Sequence, residues 1–156
     1  MTSVSRRIIT LVSVILAAVL SSALQDAPDE RTTLRIELTG LQSVEGSLYI
    51  AVYDSADSWL GEGALQQHKV VVGEAREGEL VTTALLLPPG EYALSIFYDA
   101  NGNGELDTNF IGIPKEPIAL SNNARPKFGP PKYKDAVFTL GVEPVTQRIA
   151  ITTVED

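Results

Sequence analysis

Alternation of apolar and polar residues with a period of two is the feature that most limits how this chain can fold. Every second residue is aliphatic from Leu34 to Leu38 and again from Leu48 to Val52. Such alternation is typical of strands that bury one face, because successive side chains point to opposite sides of a sheet. Further strand-like segments cover residues 66–72, 79–87, 91–98, 135–140 and 147–153. No helix of three turns is predicted after residue 31, so the predicted fold class is all-β.

Turn residues separate these segments and set the predicted architecture. The segment 91–98 follows Pro88-Pro89-Gly90 and is rich in aromatic and aliphatic residues, which predicts a central strand. The first two strands are consecutive, which predicts a hairpin between them. About seven short strands separated by turn signals predict a single β-sandwich, immunoglobulin-like or prealbumin-like in size.

The first 23 residues have the features of a secretory signal peptide. Arg6 and Arg7 precede an apolar run at 8–20, and small residues follow it, which predicts cleavage after Ala23. An uncleaved membrane anchor is the alternative, but a spanning helix needs about 20 apolar residues and the run is shorter. We therefore expect a flexible segment at 24–31 and one β-sandwich domain at 32–156. We expect no transmembrane segment after cleavage and a periplasmic or secreted location.

Composition restricts the function further. The chain has no cysteine and a single histidine, His68, so disulfides, thiolate metal sites and a histidine-based triad are not expected. The net charge is −8, and loss of the signal peptide leaves ten basic against 20 acidic residues. An acidic protein repels phosphate backbones, so nucleic acid is not an expected partner. No G-x-S-x-G motif is present, and we single out no catalytic residue.

Residues 99–107, here called the 99–107 loop, hold the densest group of oxygen-bearing side chains. The loop reads D-A-N-G-N-G-E-L-D. Acid and amide side chains at alternate positions, followed by a glycine, are typical of the first half of an EF-hand calcium loop. The loop therefore predicts a calcium site. The predicted ligands are Asp99, Asn101, Asn103, Glu105 through its backbone carbonyl, and Asp107.

The match to a calcium loop is incomplete. Phe110 stands where an EF-hand has its bidentate Glu, and a strand-like segment rather than a helix precedes the loop. A tight turn that binds no ion is the alternative, because Asp, Asn and Gly also dominate turns. Fewer charged ligands mean lower affinity, so the predicted Kd is about 10⁻⁴–10⁻³ M, as in extracellular modules.

A second polar cluster lies in the long segment that follows. Five prolines and two glycines fall between residues 112 and 131, so no long regular element is expected there. Its apolar residues, among them Phe110 and Ile111, are expected to pack on the core. Glu116, Ser121 and Asn122 form a candidate pocket for a small ligand or a glycan. The alternative is that these side chains satisfy the backbone of an irregular loop.

Two interpretations of the function follow from these residues. The first is a non-enzymatic envelope protein, a calcium-stiffened β-sandwich that binds an envelope protein or a glycan. The second is a hydrolase or binding protein for extracytoplasmic glycans that uses Asp99, Asp107 or Glu116. Glu116 is also a candidate extra calcium ligand if the chain folds back. Four basic residues are interpreted as a solvated charged loop, with a patch that faces an anionic envelope glycolipid or a partner as the alternative: Arg125, Lys127, Lys132 and Lys134.

Several short motifs occur in order along the chain. They are L-P-P-G-E-Y-A at 87–93, the 99–107 loop, G-I-P-K-E at 112–116, S-N-N at 121–123, F-G-P-P at 128–131 and D-A-V-F at 135–138. Together they resemble the bacterial family catalogued as domain of unknown function 2141. The resemblance covers nearly all of the predicted domain. It implies a secreted or periplasmic single-domain protein and no established activity.

Overall fold

The computed structural model describes residues 30–125 and 129–152 of the chain. The predicted signal peptide and residues 24–29 of the predicted flexible segment lie outside the described residues. Within them the strands are β1 (Thr32–Thr39), β2 (Ser47–Tyr53), β3 (Gln66–Val71), β4 (Arg76–Glu77), β5 (Leu80–Leu87), β6 (Gly90–Asp99), β7 (Ile118–Leu120), β8 (Phe138–Leu140) and β9 (Val145–Ala150). Two four-residue helices, Val72–Ala75 and Tyr133–Ala136, and a 3₁₀ turn, Ser121–Asn123, are also formed. No helix among these described residues is long and apolar enough to span a bilayer.

The strands form two sheets, which confirms the predicted all-β sandwich. The first sheet has the order β4-β5-β1-β9, and the second has the order β3-β2-β6-β7, with β8 paired to the start of β6. β1 and β5 are antiparallel, whereas β1 and β9 run parallel. The described residues contain more strands than the predicted number of about seven. The additional strands β4, β7 and β8 have two or three residues, too few to show a period in the sequence.

The predicted hairpin between β1 and β2 is wrong, because the two strands belong to different sheets. β1 pairs with β5 and β9, while β2 pairs with β3 and β6. Residues 40–46 carry the chain from one sheet to the other. Gly46 in this crossover has a φ of +80°, and a Cβ on it would lie 2.6 Å from the carbonyl oxygen of Asp99. Only glycine fits where the crossover passes the end of β6.

β6 is the central strand of the second sheet, as predicted. It pairs with β2 along one edge and with β7 and β8 along the other. Near its start Tyr92 is 6% exposed, and its hydroxyl donates a hydrogen bond to the carbonyl oxygen of Pro88 at 3.0 Å. The contact fastens the strand to the turn before it, as the tyrosine corner does in other β-sandwiches.

The core lies between the two sheets and is built from the alternate residues that the sequence pattern predicts. Burying one aliphatic side chain contributes about 1.5–3 kcal/mol, so this alternation supplies the main stabilising term. The largest fully buried side chains come from both sheets and from the helix Val72–Ala75: Leu34, Ile36, Leu38, Leu48, Ile50, Val52, Val72, Leu87, Leu94, Ile96, Leu140 and Ile149.

Two expectations for the later part of the chain are wrong. Residues 135–140 do not form one strand, because Tyr133–Ala136 is helical and only Phe138–Leu140 is extended. Phe110 and Ile111 do not pack on the core, since they are 98% and 64% exposed. A bridge between residues 108 and 114, with a hydrogen bond from the N–H of residue 109 to the carbonyl of residue 113, closes a turn. Phe110 and Ile111 lie within that turn.

Candidate functional site

The 99–107 loop begins at the last residue of β6, Asp99, whose side chain is 0% exposed. Its Oδ1 accepts a hydrogen bond from the N–H of Gly102 at 2.7 Å, and its Oδ2 accepts one from Gly104 at 2.9 Å. Both glycines have a positive φ, of 77° and 79°. Residues with a Cβ adopt this conformation only at a cost. The motif therefore folds the loop over Asp99.

The side chains of Asn101, Asn103 and Asp107 converge within the loop. Asn101 Nδ2 donates a hydrogen bond to Asp107 Oδ2 at 2.6 Å, and Asn103 Nδ2 lies 3.4 Å from both carboxylate oxygens of Asp107. The Oδ1 atoms of the two asparagines accept hydrogen bonds from the backbone N–H groups two residues later. The structure thus brings three of the predicted ligand side chains to one place.

Glu116 reaches back to the same loop from the segment that follows it. Its side chain is buried, with an exposed fraction of 7%. Oε1 accepts a hydrogen bond from the N–H of Ala100 at 3.2 Å, and Oε2 accepts one from the N–H of Asp107 at 3.2 Å. Hydrogen bonds to an ionised acceptor are stronger than neutral ones. Glu116 therefore ties the two ends of the loop together.

The donor atoms of the 99–107 loop suit a hard cation. Calcium takes about six to eight oxygen ligands, which carboxylates, amide oxygens and backbone carbonyls can supply. The described residues contain no group of three or more His, Cys, Asp and Glu side chains placed to hold a metal. A cation in the loop would therefore rely on amide and carbonyl oxygens beside its two aspartates. It would also require Asn101 and Asn103 to turn their oxygens, rather than their nitrogens, towards Asp107.

The other predicted cluster is divided between two places. Ser121 is 0% exposed, accepts a hydrogen bond from the N–H of Leu94 at 2.8 Å and donates one to the carbonyl of Ala136 at 2.6 Å. Asn122 is exposed and donates to the carbonyl of Val137 at 2.8 Å. Glu116, in contrast, bonds to the 99–107 loop. Ser121 and Asn122 thus both bond to backbone groups.

A groove of about 780 Å³ lies over the face of the second sheet that points away from the core. Ligand pockets for small molecules have volumes of about 300–1,000 Å³. Leu106 and residues 111–114 line it on one side, and Leu60 with Pro130 and Pro131 contribute elsewhere. A smaller cavity of about 220 Å³ lies at β9 beside Asn123 and falls below this range.

The register of the strands explains why the floor of the groove is hollow. Across β3, β2, β6 and β7, one row reads Lys69, Tyr49, Phe97 and Ile118, and a second row reads Gln67, Ala51, Ser95 and Leu120. The rings of Tyr49 and Phe97 stack with centroids 4.9 Å apart and planes 5° apart. Because Ala51 and Ser95 are small, a depression remains beside this aromatic pair.

A second group of aromatic rings lies beyond the depression. Tyr53 is two residues after Ala51 on β2, and its ring meets Trp59 edge-on with centroids 5.2 Å apart. Trp59 in turn meets Tyr133 at 5.9 Å and donates a hydrogen bond from Nε1 to the carbonyl of Pro131 at 2.8 Å. Burial of the Tyr53 hydroxyl raises its pKa above the usual 10.0. The depression at Ala51 thus lies between the Tyr49–Phe97 pair and the group formed by Tyr53, Trp59 and Tyr133.

Sequence reasoning did not predict this groove, although one signal was present. Tyr49, Ala51 and Tyr53 alternate with the core residues of β2, so they share the face that points away from the core. An antiparallel sheet normally gives such a face to solvent and makes it polar. Aromatic residues at these positions indicate that this face is covered rather than left open to solvent.

Comparison with known proteins identifies the family to which this chain belongs. No curated protein and no solved structure matches this chain. A family profile matches residues 36–148, a range that includes β2, β6, the 99–107 loop and Glu116. This range covers more than half of the chain and agrees with the resemblance drawn from the short motifs. The chain therefore belongs to the family described as "Uncharacterized protein conserved in bacteria (DUF2141)".

Proposed function

We propose that this protein is an exported, non-enzymatic binding module of the bacterial envelope whose 99–107 loop is stiffened by a weakly held calcium ion. The observation that carries the proposal is the convergence of Asn101, Asn103 and Asp107, with Asp99 at the base of the loop. Oxygen-bearing side chains that meet in a loop of this spacing are the ligands that calcium prefers. The ion would be held by these four side chains and by the carbonyl of Glu105.

The geometry of the loop supports a weak site. The loop is already closed by its own hydrogen bonds, so an ion would replace the contacts from Asn101 and Asn103 to Asp107 rather than fill an open cage. Only two of the proposed ligands carry a formal charge. Both factors lower affinity, in keeping with a Kd of about 10⁻⁴–10⁻³ M.

A calcium ion bound in the 99–107 loop would affect the shape of the groove. Gly104 and Leu106 belong to the loop and also line the groove. A Cβ on Gly104 would lie 3.3 Å from the hydroxyl oxygen of Tyr49, so the loop backbone runs close to the groove floor. Fixing the loop would therefore fix one side of the groove, which gives the ion a role in binding.

The acids support binding rather than glycan hydrolysis. A glycosidase needs one carboxyl group that exchanges a proton with the substrate and a second that attacks or activates water. Asp99 and Glu116 are buried, and each accepts two hydrogen bonds from backbone N–H groups. Carboxylates held in this way serve to close the loop. We therefore favour the non-enzymatic function.

Thermal unfolding with and without calcium tests the proposal. At a calcium concentration ten times the Kd, the free energy of unfolding should rise by about 1.4 kcal/mol through mass action. Asp107→Asn should abolish the shift, while Asp57→Asn, which removes an exposed acid outside the loop, should keep it. Asp99→Asn is unsuitable, because it disturbs backbone hydrogen bonds with or without an ion. If the wild-type protein shows neither a shift nor heat in a calorimetric titration, the loop is only a turn.

Export is part of the same proposal and has its own test. The apolar run at 8–20 and the small residues before residue 24 support a cleaved signal peptide. Protein recovered from the periplasm or the medium should have the mass of residues 24–156. An intact mass that includes residues 1–23 would contradict cleavage.

A further inference from the structure

The position of the groove limits what can occupy it. Its floor is the hollow at Ala51 and Ser95, and residues 111–114 together with Leu106 form a side above the sheet. An occupant must therefore fit between a sheet face and a loop. A narrow, chain-like molecule can lie between them.

The lining favours an apolar body over a sugar. Sugars bind by lying flat on a free aromatic face and by filling many hydrogen bonds. Phe97 stacks on one face of the Tyr49 ring, and the ammonium of Lys69 lies 5.3 Å from its centroid. Phe97 has Ile118 as its cross-strand partner on the side away from Tyr49. The faces of the Tyr49 ring are thus taken by neighbours, and most of the other lining residues are aliphatic.

Apolar surface continues from the groove towards solvent. Ile111 lines the groove and is also 64% exposed, and its neighbour Phe110 is 98% exposed. Contiguous exposed apolar surface marks interaction sites and ligand-binding grooves. A chain-like molecule could pass from this rim to the floor without leaving apolar contact.

A positive charge lies beside the groove, next to Tyr49 in its lining. Lys69 lies next to Tyr49 in the same cross-strand row, with its side chain exposed. No salt bridge of Lys69 is found among residues 30–125 and 129–152. Its ammonium can therefore pair with an anionic group at the end of a ligand that lies along the floor.

We propose that the groove binds a single-chain apolar molecule with one anionic end, of which an acyl carboxylate is the simplest example. The chain lies over Ala51 and Ser95, between the Tyr49–Phe97 pair and the Tyr53–Trp59 group, and the acid lies at Lys69. The proposal deepens the binding role proposed above and rests on it. It does not require calcium.

The protein carries its own reporter for this test. Trp59 is the single tryptophan, and it is hydrogen-bonded to Pro131 in the lining of the groove. Titration with dodecanoate should change its fluorescence and give a saturable curve. Dodecyltrimethylammonium, with the same chain and the opposite charge, should bind about two- to fivefold more weakly, since an exposed ion pair contributes little. Lys69→Gln should remove this difference.

Two matched variants locate the binding. Ala51→Leu fills the hollow and should weaken dodecanoate binding by about tenfold or more. Ala84→Leu makes the same change on the exposed face of β5 in the other sheet and should leave binding unchanged. Ser95→Leu provides a second filled groove if Ala51→Leu does not fold. Equal weakening by Ala51→Leu and Ala84→Leu would place the binding elsewhere and overturn the proposal.

The remaining outcomes separate the two proposals. Saturable dodecanoate binding that is the same in chelator and in calcium supports the groove and contradicts the calcium role. A calcium-dependent stability shift without dodecanoate binding overturns the groove proposal alone. Sedimentation that shows a dimer, dissociated by Ala51→Leu in the absence of any ligand, would identify a second copy of the chain as the occupant and also overturn it.

Discussion

The carboxylate of Glu116 accepts a hydrogen bond from the backbone N–H of Asp107 at 3.2 Å, nine residues earlier in the chain. Its other oxygen accepts one from Ala100, so a single buried side chain holds both ends of the 99–107 loop. The loop geometry thus depends on a residue outside the loop. This relation gives the first prediction.

Glu116→Gln is expected to lower the free energy of unfolding by about 1.5–3 kcal/mol, because hydrogen bonds to a charged group are lost and an amide N–H₂ faces a backbone N–H. Glu105→Gln, an exposed acid within the loop, should change it by less than about 0.5 kcal/mol. Urea denaturation of both variants measures the difference. Equal midpoints for Glu116→Gln and wild type would show that Glu116 does not hold the loop.

The two glycines of the loop form a matched pair for a second prediction. Gly102 and Gly104 have nearly the same φ, but a Cβ meets nothing within 4 Å at Gly102 and lies 3.3 Å from the Tyr49 hydroxyl at Gly104. Alanine at either position should cost about 1–2 kcal/mol for the left-handed backbone. Gly104→Ala should cost about 1 kcal/mol more through crowding against Tyr49. Denaturation midpoints that rank the two variants the other way would contradict the close approach.

Tyr92 allows its ring and its hydroxyl to be tested separately. Tyr92→Phe keeps the buried ring and loses the hydrogen bond to Pro88, at an expected cost of about 0.5–1.5 kcal/mol. Tyr92→Ala also removes the ring from the core and should cost about 3–5 kcal/mol. Thermal or urea unfolding of the two variants gives both values. Similar stability of the two would mean that the ring contributes little.

Alkaline pH should destabilise the fold through its buried tyrosines. Burial raises the pKa of Tyr53, Tyr92 and Tyr133 above 10.0, and the charges of Glu91 and Asp54 raise that of Tyr133 further. The unfolded chain loses these protons near pH 10, before the folded protein does. Stability is therefore fully present below pH 10 and falls as the pH rises through the folded pKa values. Urea midpoints measured from pH 8 upwards, with absorbance of tyrosinate, test this order.

Tyr133 offers the matched variant for that experiment. Its hydroxyl is buried without a hydrogen-bond partner among the described residues. Tyr133→Phe removes an unsatisfied polar group, so stability at neutral pH should stay unchanged or rise by up to about 1 kcal/mol. The loss of stability above pH 10 should become smaller in the same variant. A clear loss of stability at neutral pH would mean that the hydroxyl has a partner, such as a bound water.

The sequence predicts the strands well where residues alternate over a full segment, as in β1, β2 and β6. It does not predict which strands pair, because a period of two defines a buried face but not a neighbour. The crossover at residues 40–46 is an example. It depends on the fit of Gly46 against the backbone carbonyl of Asp99 and the side chain of Tyr98, which are about fifty residues away in sequence.

The sequence likewise predicts one part of the candidate site and not the other. The 99–107 loop is recognisable because its spacing is local, and the structure adds the contact of Glu116 with its ends. The groove is not recognisable from any single segment, because Tyr49, Phe97 and Ile113 come from separate parts of the chain. Only the register of β2 and β6 and the course of the loop bring these side chains together.

The parallel pairing of β1 with β9 sets an order for biosynthesis. Arg148 in β9 binds the carboxylate of Glu37 in β1 at 2.9 Å across 111 residues of sequence. While the chain emerges from the ribosome, β1 lacks this neighbour until residues 145–150 have been made, and the edge beside Leu34 and Leu38 stays open. The first sheet can therefore be completed only after residue 150 has been made. A chain shortened before residue 145 would leave that edge free to pair with other chains.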